Sequence, residues 1–266
     1  FIDERPMVTL FTRPRRFGKT LNMDMLRTYF EKSDKDTSVY FRDKKIWACG
    51  QKYRDYQGKY PVIFLTFKDV KFDTWEETFA AIRDIFAKET RRHKELLVSD
   101  KCDEYSKKTY EKLADGKVNE VELASALLDL SAMLHKHYAV APIIIIDEYD
   151  TPMMRNLYND DMLKELRNML RGFYQTVKIE GAHIKFAFIT GVTKFSQLSI
   201  FSELNNLVQI SMEDDYSGIC GITQHELDTV LRPCVEEYAQ CLNISTSEAY
   251  ALLKRNYDGY HFSAKS

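Results

Sequence analysis

The segment that most constrains the fold is an apolar run at residues 141–146, which ends abruptly at Asp147 and Glu148. The run contains four consecutive isoleucines, and it is far shorter than the roughly 20 residues that a membrane-spanning helix needs. A continuous apolar strand is typical of a parallel sheet whose two faces are both covered by helices. We therefore predict that this segment is a central strand of an α/β protein.

Four other segments have the composition of strands, and helical patterns separate them. The predicted strands cover residues 7–11, 61–67, 184–190 and 207–211. Four helices are predicted because apolar residues recur at helical spacing. Their apolar stripes are Leu21, Met25, Leu26 and Phe30; Trp75, Phe79, Ile82 and Phe86; Leu123, Leu127, Leu130 and Leu134; and Leu163, Leu166, Leu170, Phe173 and Val177. The last of these helices is predicted to stop near Gly181. This alternation predicts a three-layer α/β sandwich with a mostly parallel central sheet and right-handed crossovers.

The pattern changes to helices alone beyond Gly221. Thr223 with Glu226, and Ser245 with Glu248, have the spacing of capping boxes at helix starts. We therefore expect residues 1–218 to form the α/β core. Residues 219–266 are expected to form a small helical lid or the start of a following domain.

Composition excludes several classes of function. The chain has 38 Lys and Arg against 40 Asp and Glu, so no whole-chain charge would drive binding to nucleic acid or to an anionic membrane. The first residues lack the pattern of a signal peptide, which predicts a cytoplasmic protein. The five cysteines are scattered without a C-x-x-C pair, so we expect reduced thiols and no zinc site.

The loop at residues 13–20 follows the first predicted strand and opens a helix. It matches the end of the Walker A motif G-x-x-x-x-G-K-[ST], with Arg13 in place of the first glycine. In this motif the backbone N–H groups bind phosphates, the lysine neutralises β and γ oxygens, and the hydroxyl binds Mg²⁺. The predicted ATP contacts are Pro14, Arg15, Arg16, Phe17, Gly18, Lys19, Thr20 and Leu21. Taken alone, the loop could equally be a chance Gly-Lys-Thr turn.

The acidic residues after the isoleucine run resolve that choice. A buried strand that ends in Asp147-Glu148 has the Walker B pattern. Asp147 would hold Mg²⁺ or its water shell, together with Thr20, and Glu148 would polarise the attacking water. An acidic turn exposed to solvent explains this segment equally well by itself. The two elements together predict a P-loop ATPase that uses ATP and Mg²⁺, with Lys19 and Glu148 as catalytic residues.

Two further catalytic roles each have several candidate residues. A polar residue at the end of the strand that follows the acidic pair would contact the γ-phosphate or the water, and Thr190 is our first choice ahead of Thr193 and Lys194. Fast hydrolysis often needs an arginine that stabilises charge in the transition state. The sequence leaves four candidates for that arginine, namely Arg155, Arg167, Arg171 and Arg232.

Four segments in order resemble the AAA-ATPase-like family that is common in gut and anaerobic bacteria. They are residues 12–23, residues 147–152, residues 190–195 with 199–202 and 204–206, and residues 257–262. The resemblance implies a P-loop fold with an extra strand between the Walker A and Walker B strands. It also implies that an arginine-rich loop is normal, so Arg13 is no objection. Relatives usually carry a helix between Asp3 and the first strand, whereas here Asp3 leads almost directly into that strand. The adenine contact that this helix makes in relatives is therefore not predicted for this chain.

The resemblance also bears on partners. Many relatives continue into a nuclease-like domain of the PD-(D/E)XK type, and we expect no nuclease activity from residues 1–266. The leading hypothesis is an ATP-hydrolysing module that regulates a partner protein or an attached effector domain. The alternatives are a nucleotide-binding switch with little turnover, a nucleic-acid-associated module, and, ranked last, a small-molecule kinase. The nucleic-acid alternative depends on Arg13, Arg15 and Arg16 and on residues 91–94, but we expect the first cluster to face nucleotide phosphates and the second to be a solvated helix end.

Overall fold

The computed structural model describes residues 2–3, 7–178, 183–193 and 207–262. The chain forms two compact units, Phe1–Gln209 and Ile210–Ser266. Among the residues described, no helix has both the length and the apolar character needed to cross a membrane. The assignment of residues 1–218 to an ATPase core stays a prediction.

The first unit alternates strands with helices. Its strands are β1 (Val8–Thr12), β2 (Val62–Thr66), β3 (Ile143–Asp147), β4 (Phe186–Gly191) and β5 (Leu207–Gln209). Its helices are α1 (Lys19–Phe30), α2 (Lys45–Ala48), α3 (Gln51–Arg54), α4 (Trp75–Arg92), α5 (Glu104–Ala114), α6 (Glu120–Tyr138), α7 (Thr151–Arg155) and α8 (Asp160–Lys178), with 3-10 turns at Thr37–Tyr40 and Lys94–Val98. The predicted strands are confirmed, with ends that shift by one or two residues.

The five strands form one parallel sheet in the order β2-β3-β4-β1-β5. The predicted fold class is confirmed, including the extra strand, because β4 lies between β1 and β3. Phe11 on β1 is level with Thr190 on β4, and Ile146 on β3 is level with Ile189. The carboxyl ends of β1, β3 and β4 therefore meet at one edge of the sheet, where the phosphate loop and the acidic pair both begin.

The isoleucine run is buried because helices cover both faces of the sheet. Side chains alternate between the faces of a strand, so Ile144 and Ile146 share one face. That face belongs to the main core, which also contains the leucines of α6 and α8. On the opposite face, Phe30 of α1 packs against Phe186 of β4 with ring centroids 5.5 Å apart. The result is the predicted three-layer sandwich.

The predicted apolar face of α1 was wrong at two positions. Leu21 is 75% exposed and Met25 is 49% exposed, whereas Met23 and Phe30 are buried against the sheet. At 100° per residue, Leu21 lies ~200° around the helix from Met23, so the two side chains cannot share a face. Met25 lines an apolar cavity of about 650 Å³ beside the second half of α1, together with Tyr29.

Helices α6 and α8 pack closely, and the predicted stripes of both are buried. The side chain of Val177 and the predicted helix end near Gly181 lie outside the described residues. At the crossing, a Cβ atom placed on Gly172 would lie 2.8 Å from Cβ and 3.0 Å from the carbonyl oxygen of Ala124. Because two real Cβ atoms do not approach each other this closely, any larger residue would require α6 or α8 to shift.

Gly172→Ala is expected to destabilise the protein despite improving helix propensity. Alanine in a helix interior gains about 1 kcal/mol over glycine, but overpacking at a tight contact costs about 1–3 kcal/mol. We expect a net lower midpoint in urea unfolding. Gly116→Ala is not a suitable control because Gly116 has φ +65°. Asn168→Ala, at an exposed position of α8, is a better one, and equal stability of Gly172→Ala and wild type would contradict the predicted clash.

Strand β2 is at the edge of the sheet, and side chains from α4 cover that edge. Glu89 accepts a hydrogen bond from the Phe64 backbone N–H at 2.7 Å. Arg92 donates to the carbonyl oxygen of Val62 and to Glu89. Edge strands carry unpaired backbone groups that invite pairing with another chain, and these two side chains occupy them.

The prediction of a solvated helix end at residues 91–94 was wrong for His93, whereas Arg91, Arg92 and Lys94 are exposed. His93 is 5% exposed, and its ring nitrogens lie 3.4 Å from Glu89 and 3.4 Å from Glu95. Arg92 makes ion pairs with Glu89 and with Glu31. Arg92 and His93 are therefore paired with acidic residues of the fold, and the nucleic-acid alternative stays a prediction.

In the part of the second unit that the structure describes, there are three α-helices, α9 (Gln224–Asp228), α10 (Arg232–Leu242) and α11 (Thr246–Tyr257), after a 3-10 turn at Asp214–Tyr216. Both predicted capping boxes are confirmed, at Thr223 with Glu226 and at Ser245 with Glu248. Its small apolar cluster is built on Val235, Ala239 and Ala249.

Candidate nucleotide site

The phosphate loop joins β1 to α1 and ends at Gly18, the N-cap residue of α1. Gly18 has φ 84°, in the left-handed region that favours glycine, and there is open space where a Cβ atom would lie. No side chain of the described residues caps this helix end. The first N–H groups of a helix lack internal partners and carry partial positive charge, so this end can bind an anion.

Lys19 is the first residue of α1, and it is 4% exposed. Its Nζ donates to the carbonyl oxygens of Arg13 and Pro14, both at 2.9 Å. The loop therefore wraps around the ammonium group and holds it at the helix start. A lysine in this position brings a full positive charge next to the N–H groups at the helix start, which suits a multiply charged phosphate.

Thr20 and Asp147 meet although 127 residues separate them in the chain. The Thr20 hydroxyl donates to Asp147 Oδ2 at 2.7 Å. Asp147 has no exposed surface. The structure thus brings together the two residues that sequence analysis assigned to the metal.

The carboxylate of Asp147 is also held from the other side. Thr190, at the end of β4, donates from its hydroxyl to Asp147 Oδ1 at 2.6 Å. The same hydroxyl accepts a hydrogen bond from the Glu148 backbone N–H at 3.4 Å. Thr190 therefore lies among the acidic residues, as its place at the end of the neighbouring strand requires. Its contact with a γ-phosphate stays a prediction.

Glu148 follows the strand in a strained conformation. Its φ is 52°, a region that non-glycine residues adopt rarely and at a cost of about 1–2 kcal/mol. Its Oε2 accepts a hydrogen bond from the Thr151 hydroxyl at 3.0 Å. Glu148 is therefore a half-buried residue at the same edge of the sheet as Lys19 and Thr20.

The comparisons with known proteins agree with this geometry. The family model described as "Predicted AAA-ATPase" matches residues 1–201. The chain belongs to the AAA-ATPase-like family. An "Uncharacterized protein in vnfD 5'region" from Azotobacter chroococcum mcd 1 is 29% identical over 225 residues, or 84% of this chain. The chain spans 37% of the length of that relative. No solved structure matches.

In this AAA-ATPase-like chain, the predicted loop arginines do not all face the phosphate position. Arg13 is 1% exposed, its guanidinium lies 4.4 Å from the centroid of the Phe11 ring, and it donates to the Thr12 carbonyl oxygen. The expectation that the whole cluster faces phosphates was wrong for Arg13, because this residue still follows the buried end of β1. Arg15 and Arg16 are exposed, and Arg16 has φ 69°.

The candidates for a charge-stabilising arginine lie in different surroundings. Arg155 pairs with Asp73 at 2.9 and 3.1 Å, and Arg232 pairs with Glu236 in the second unit. Arg167 and Arg171 lie on α8. The choice among the four stays a prediction. Lys194 and the family-like segment around residues 199–206 lie outside the described residues.

Sequence analysis assigned no role to Asp150, which the structure places beside the acidic pair. Asp150 has no exposed surface, and its Oδ2 accepts from the backbone N–H groups of Val192 at 2.7 Å and Thr193 at 2.8 Å. Burial raises the pKa of Asp150, while these hydrogen bonds and the charge of Lys19 oppose the rise. The available signal was a third acidic residue within four positions of a strand end.

Proposed function

We propose that this chain binds MgATP at the phosphate loop and hydrolyses it with Glu148 as the general base. The observation that carries the proposal is the contact between Thr20 and Asp147 at 2.7 Å. It joins the end of the phosphate loop to the end of the isoleucine strand, and it places the acidic pair beside the N-terminus of α1. Membership of a family described as predicted ATPases supports the same reading.

The residues at this contact fit Mg²⁺. Adjacent ligands of an octahedral Mg²⁺ with bonds of 2.0–2.1 Å are ~2.9 Å apart, close to the separation of the two oxygens here. A hydroxyl and a carboxylate are hard oxygen ligands of the kind that Mg²⁺ prefers. When bound, Mg²⁺ would supply positive charge to the β- and γ-phosphates. Thr20 and Asp147 would hold it, and Thr190 would orient the Asp147 carboxylate.

The protein groups then have separate tasks in hydrolysis. The N–H groups at the start of α1 and the Lys19 ammonium would hold the phosphates in line for attack. Glu148 would accept a proton from the attacking water, and its hydrogen bond from Thr151 would keep the carboxylate in place. Water is favoured over a small-molecule hydroxyl as the acceptor because Glu148 follows directly on the metal-binding aspartate.

The biological role that we propose is regulatory. Nucleotide state would control a partner protein or an attached effector domain, and turnover would reset the module. A binding switch with little turnover is the second candidate, since the strained Glu148 turn and the Thr190 contact serve nucleotide sensing equally well. Phosphate release from the wild type separates the two.

Lys19→Ala is expected to weaken MgATP binding by about 100-fold in calorimetry. A hydrogen bond to a charged group contributes about 1.5–3 kcal/mol, and 3 kcal/mol corresponds to a factor of about 100 in affinity. Lys164→Ala, which removes an exposed lysine from α8, is the matched control and should bind as the wild type does. Unchanged affinity in Lys19→Ala would exclude the phosphate loop as the nucleotide site.

A further inference from the structure

Asp150 is a buried carboxylate whose role the proposed mechanism does not yet include. Its Oδ2 accepts two backbone hydrogen bonds, from Val192 and Thr193, and among the described residues its Oδ1 has no hydrogen-bond partner. A carboxylate loses much solvation free energy on burial unless hydrogen bonds replace the lost water. Burial of the Asp150 carboxylate therefore costs folding free energy, and the two charge-assisted hydrogen bonds offset that cost.

Helix capping does not account for Asp150. It is the N-cap residue of α7, where aspartate commonly accepts a hydrogen bond from the first turn. Here its side chain makes no capping hydrogen bond. The carboxylate points instead to the chain that leaves β4, so its hydrogen bonds connect two segments 42 and 43 residues apart in sequence.

Neighbouring residues strengthen the same connection. The Tyr149 backbone N–H donates to the Thr190 carbonyl oxygen at 3.0 Å, and its hydroxyl donates to the Thr193 carbonyl oxygen at 2.8 Å. Between them, a Cβ atom on Gly191 would lie 2.6 Å from the Tyr149 ring and 2.8 Å from the carboxyl of Asp150. Residues 149–150 therefore hold residues 190–193 at van der Waals contact.

This connection reaches the reacting groups through Thr190. The Thr190 hydroxyl holds Asp147 and lies next to the Glu148 backbone, and Asp150 fixes the chain directly after Thr190. A displacement of residues 191–193 would therefore change the orientation of both Asp147 and Glu148. The phosphate loop meets this chain at one point, where the Arg13 backbone N–H donates to the Gly191 carbonyl oxygen at 3.1 Å. Among the described residues, no backbone hydrogen bond joins the start of α1, which would bind the phosphates, to residues 192–193.

We propose that Asp150 is a positioning residue for hydrolysis, which holds residues 191–193 so that Thr190 and Glu148 keep their geometry during attack on the γ-phosphate. This inference rests on the proposed function. It predicts an effect on the chemical step that is separable from nucleotide binding, since the phosphate-binding groups of the loop are left intact.

The test compares Asp150→Asn and Asp150→Ala with the wild type in MgATP calorimetry and in steady-state phosphate release. Asparagine keeps one acceptor oxygen but loses the charge, whereas alanine loses both. We expect kcat to fall about 10-fold in Asp150→Asn and about 100-fold in Asp150→Ala, as small displacements of catalytic groups do, with MgATP Kd within about threefold of wild type. Asp100→Asn, at an exposed turn, is the matched control and should keep the wild-type kcat.

Circular dichroism below the unfolding temperature shows whether each variant is folded. If Asp150→Ala does not fold, Asp150→Asn decides the matter, and a folded Asp150→Asn with wild-type kcat would overturn the proposal. Loss of MgATP binding in parallel with kcat would also overturn it, because that result indicates general damage to the site. Absence of phosphate release from the wild type would instead refute the proposed hydrolysis, and the positioning role would fall with it.

Discussion

Glu148→Gln is expected to abolish phosphate release while leaving MgATP bound. The substitution keeps the size of the side chain and an oxygen that can accept the Thr151 hydrogen bond, but it removes the group that accepts a proton from water. General base catalysis contributes about 10²–10⁴-fold to enzymatic rates, so we expect a loss of that order in kcat. Steady-state phosphate release and calorimetry on the same preparation measure both quantities.

The affinity measurement makes this experiment specific. Because the phosphate-binding groups lie on the loop and on α1, the MgATP Kd of Glu148→Gln should stay within about threefold of wild type. Glu104→Gln, at the exposed start of α5, is the matched control for the change in charge. Phosphate release that survives in Glu148→Gln would show that another group activates the water. Binding without release in the wild type would favour the switch.

Glu89→Ala is expected to cause the largest loss of stability. The change leaves the Phe64 N–H without its acceptor at the edge of the sheet and leaves Arg92 and His93 without a shared carboxylate. Breaking a buried ion pair by removing one partner costs about 3–5 kcal/mol. Because the Arg92 side chain is about one-third exposed, we expect a loss of unfolding free energy near the lower end of this range. A lower midpoint in urea unfolding would measure it.

Two comparisons test the cause of this loss. Glu76→Ala, at an exposed position in the first turn of the same helix, should change stability by less than about 0.5 kcal/mol. Glu89→Gln keeps an acceptor for the Phe64 N–H and should lie between Glu89→Ala and wild type. Equal stabilities of Glu89→Ala and Glu76→Ala would contradict the role of Glu89 at the β2 edge.

The same cluster predicts how stability depends on pH. Burial would raise the pKa of Glu89, but hydrogen bonds from His93 and Arg92 outweigh it and lower the pKa to about 2. The stabilisation from this lowered pKa is present above the ordinary glutamate value near 4.5 and is lost as pH falls toward 2. Glu89→Ala should therefore flatten the acid limb of the stability curve.

The contribution of His93 to stability has the opposite dependence on pH. Burial would lower its pKa, but hydrogen bonds with Glu89 and Glu95 raise it above the ordinary value of 6.5. A raised pKa contributes stability that is fully present below 6.5 and is lost as pH rises through the folded-state pKa. The cluster thus stabilises the protein most at mildly acidic to neutral pH.

Much of the fold follows from local patterns in the sequence. Each strand and helix is encoded by periodicity over a few residues, as in the isoleucine run of β3 and the leucine stripe of α6. The phosphate loop and the acidic pair were recognisable for the same reason, since each is a short continuous segment with its own chemistry. The sheet order that separates β1 from β3 was implied by the family resemblance rather than by any local pattern.

Contacts between distant segments were decided by the tertiary structure alone. The direction of the Arg13 side chain depends on where β1 ends, and the burial of His93 and the ion pairs of Arg92 depend on β2 being an edge strand. Asp150 follows the acidic pair Asp147-Glu148 closely in sequence. Its hydrogen-bond partners, Val192 and Thr193, lie 42 and 43 residues further along the chain, after α8 and β4. Sequence periodicity reports which residues share a face of one element. It carries no information on which elements become neighbours, and that is why the sequence identified the chemistry of the site while only the packed sheet determined how its parts are held.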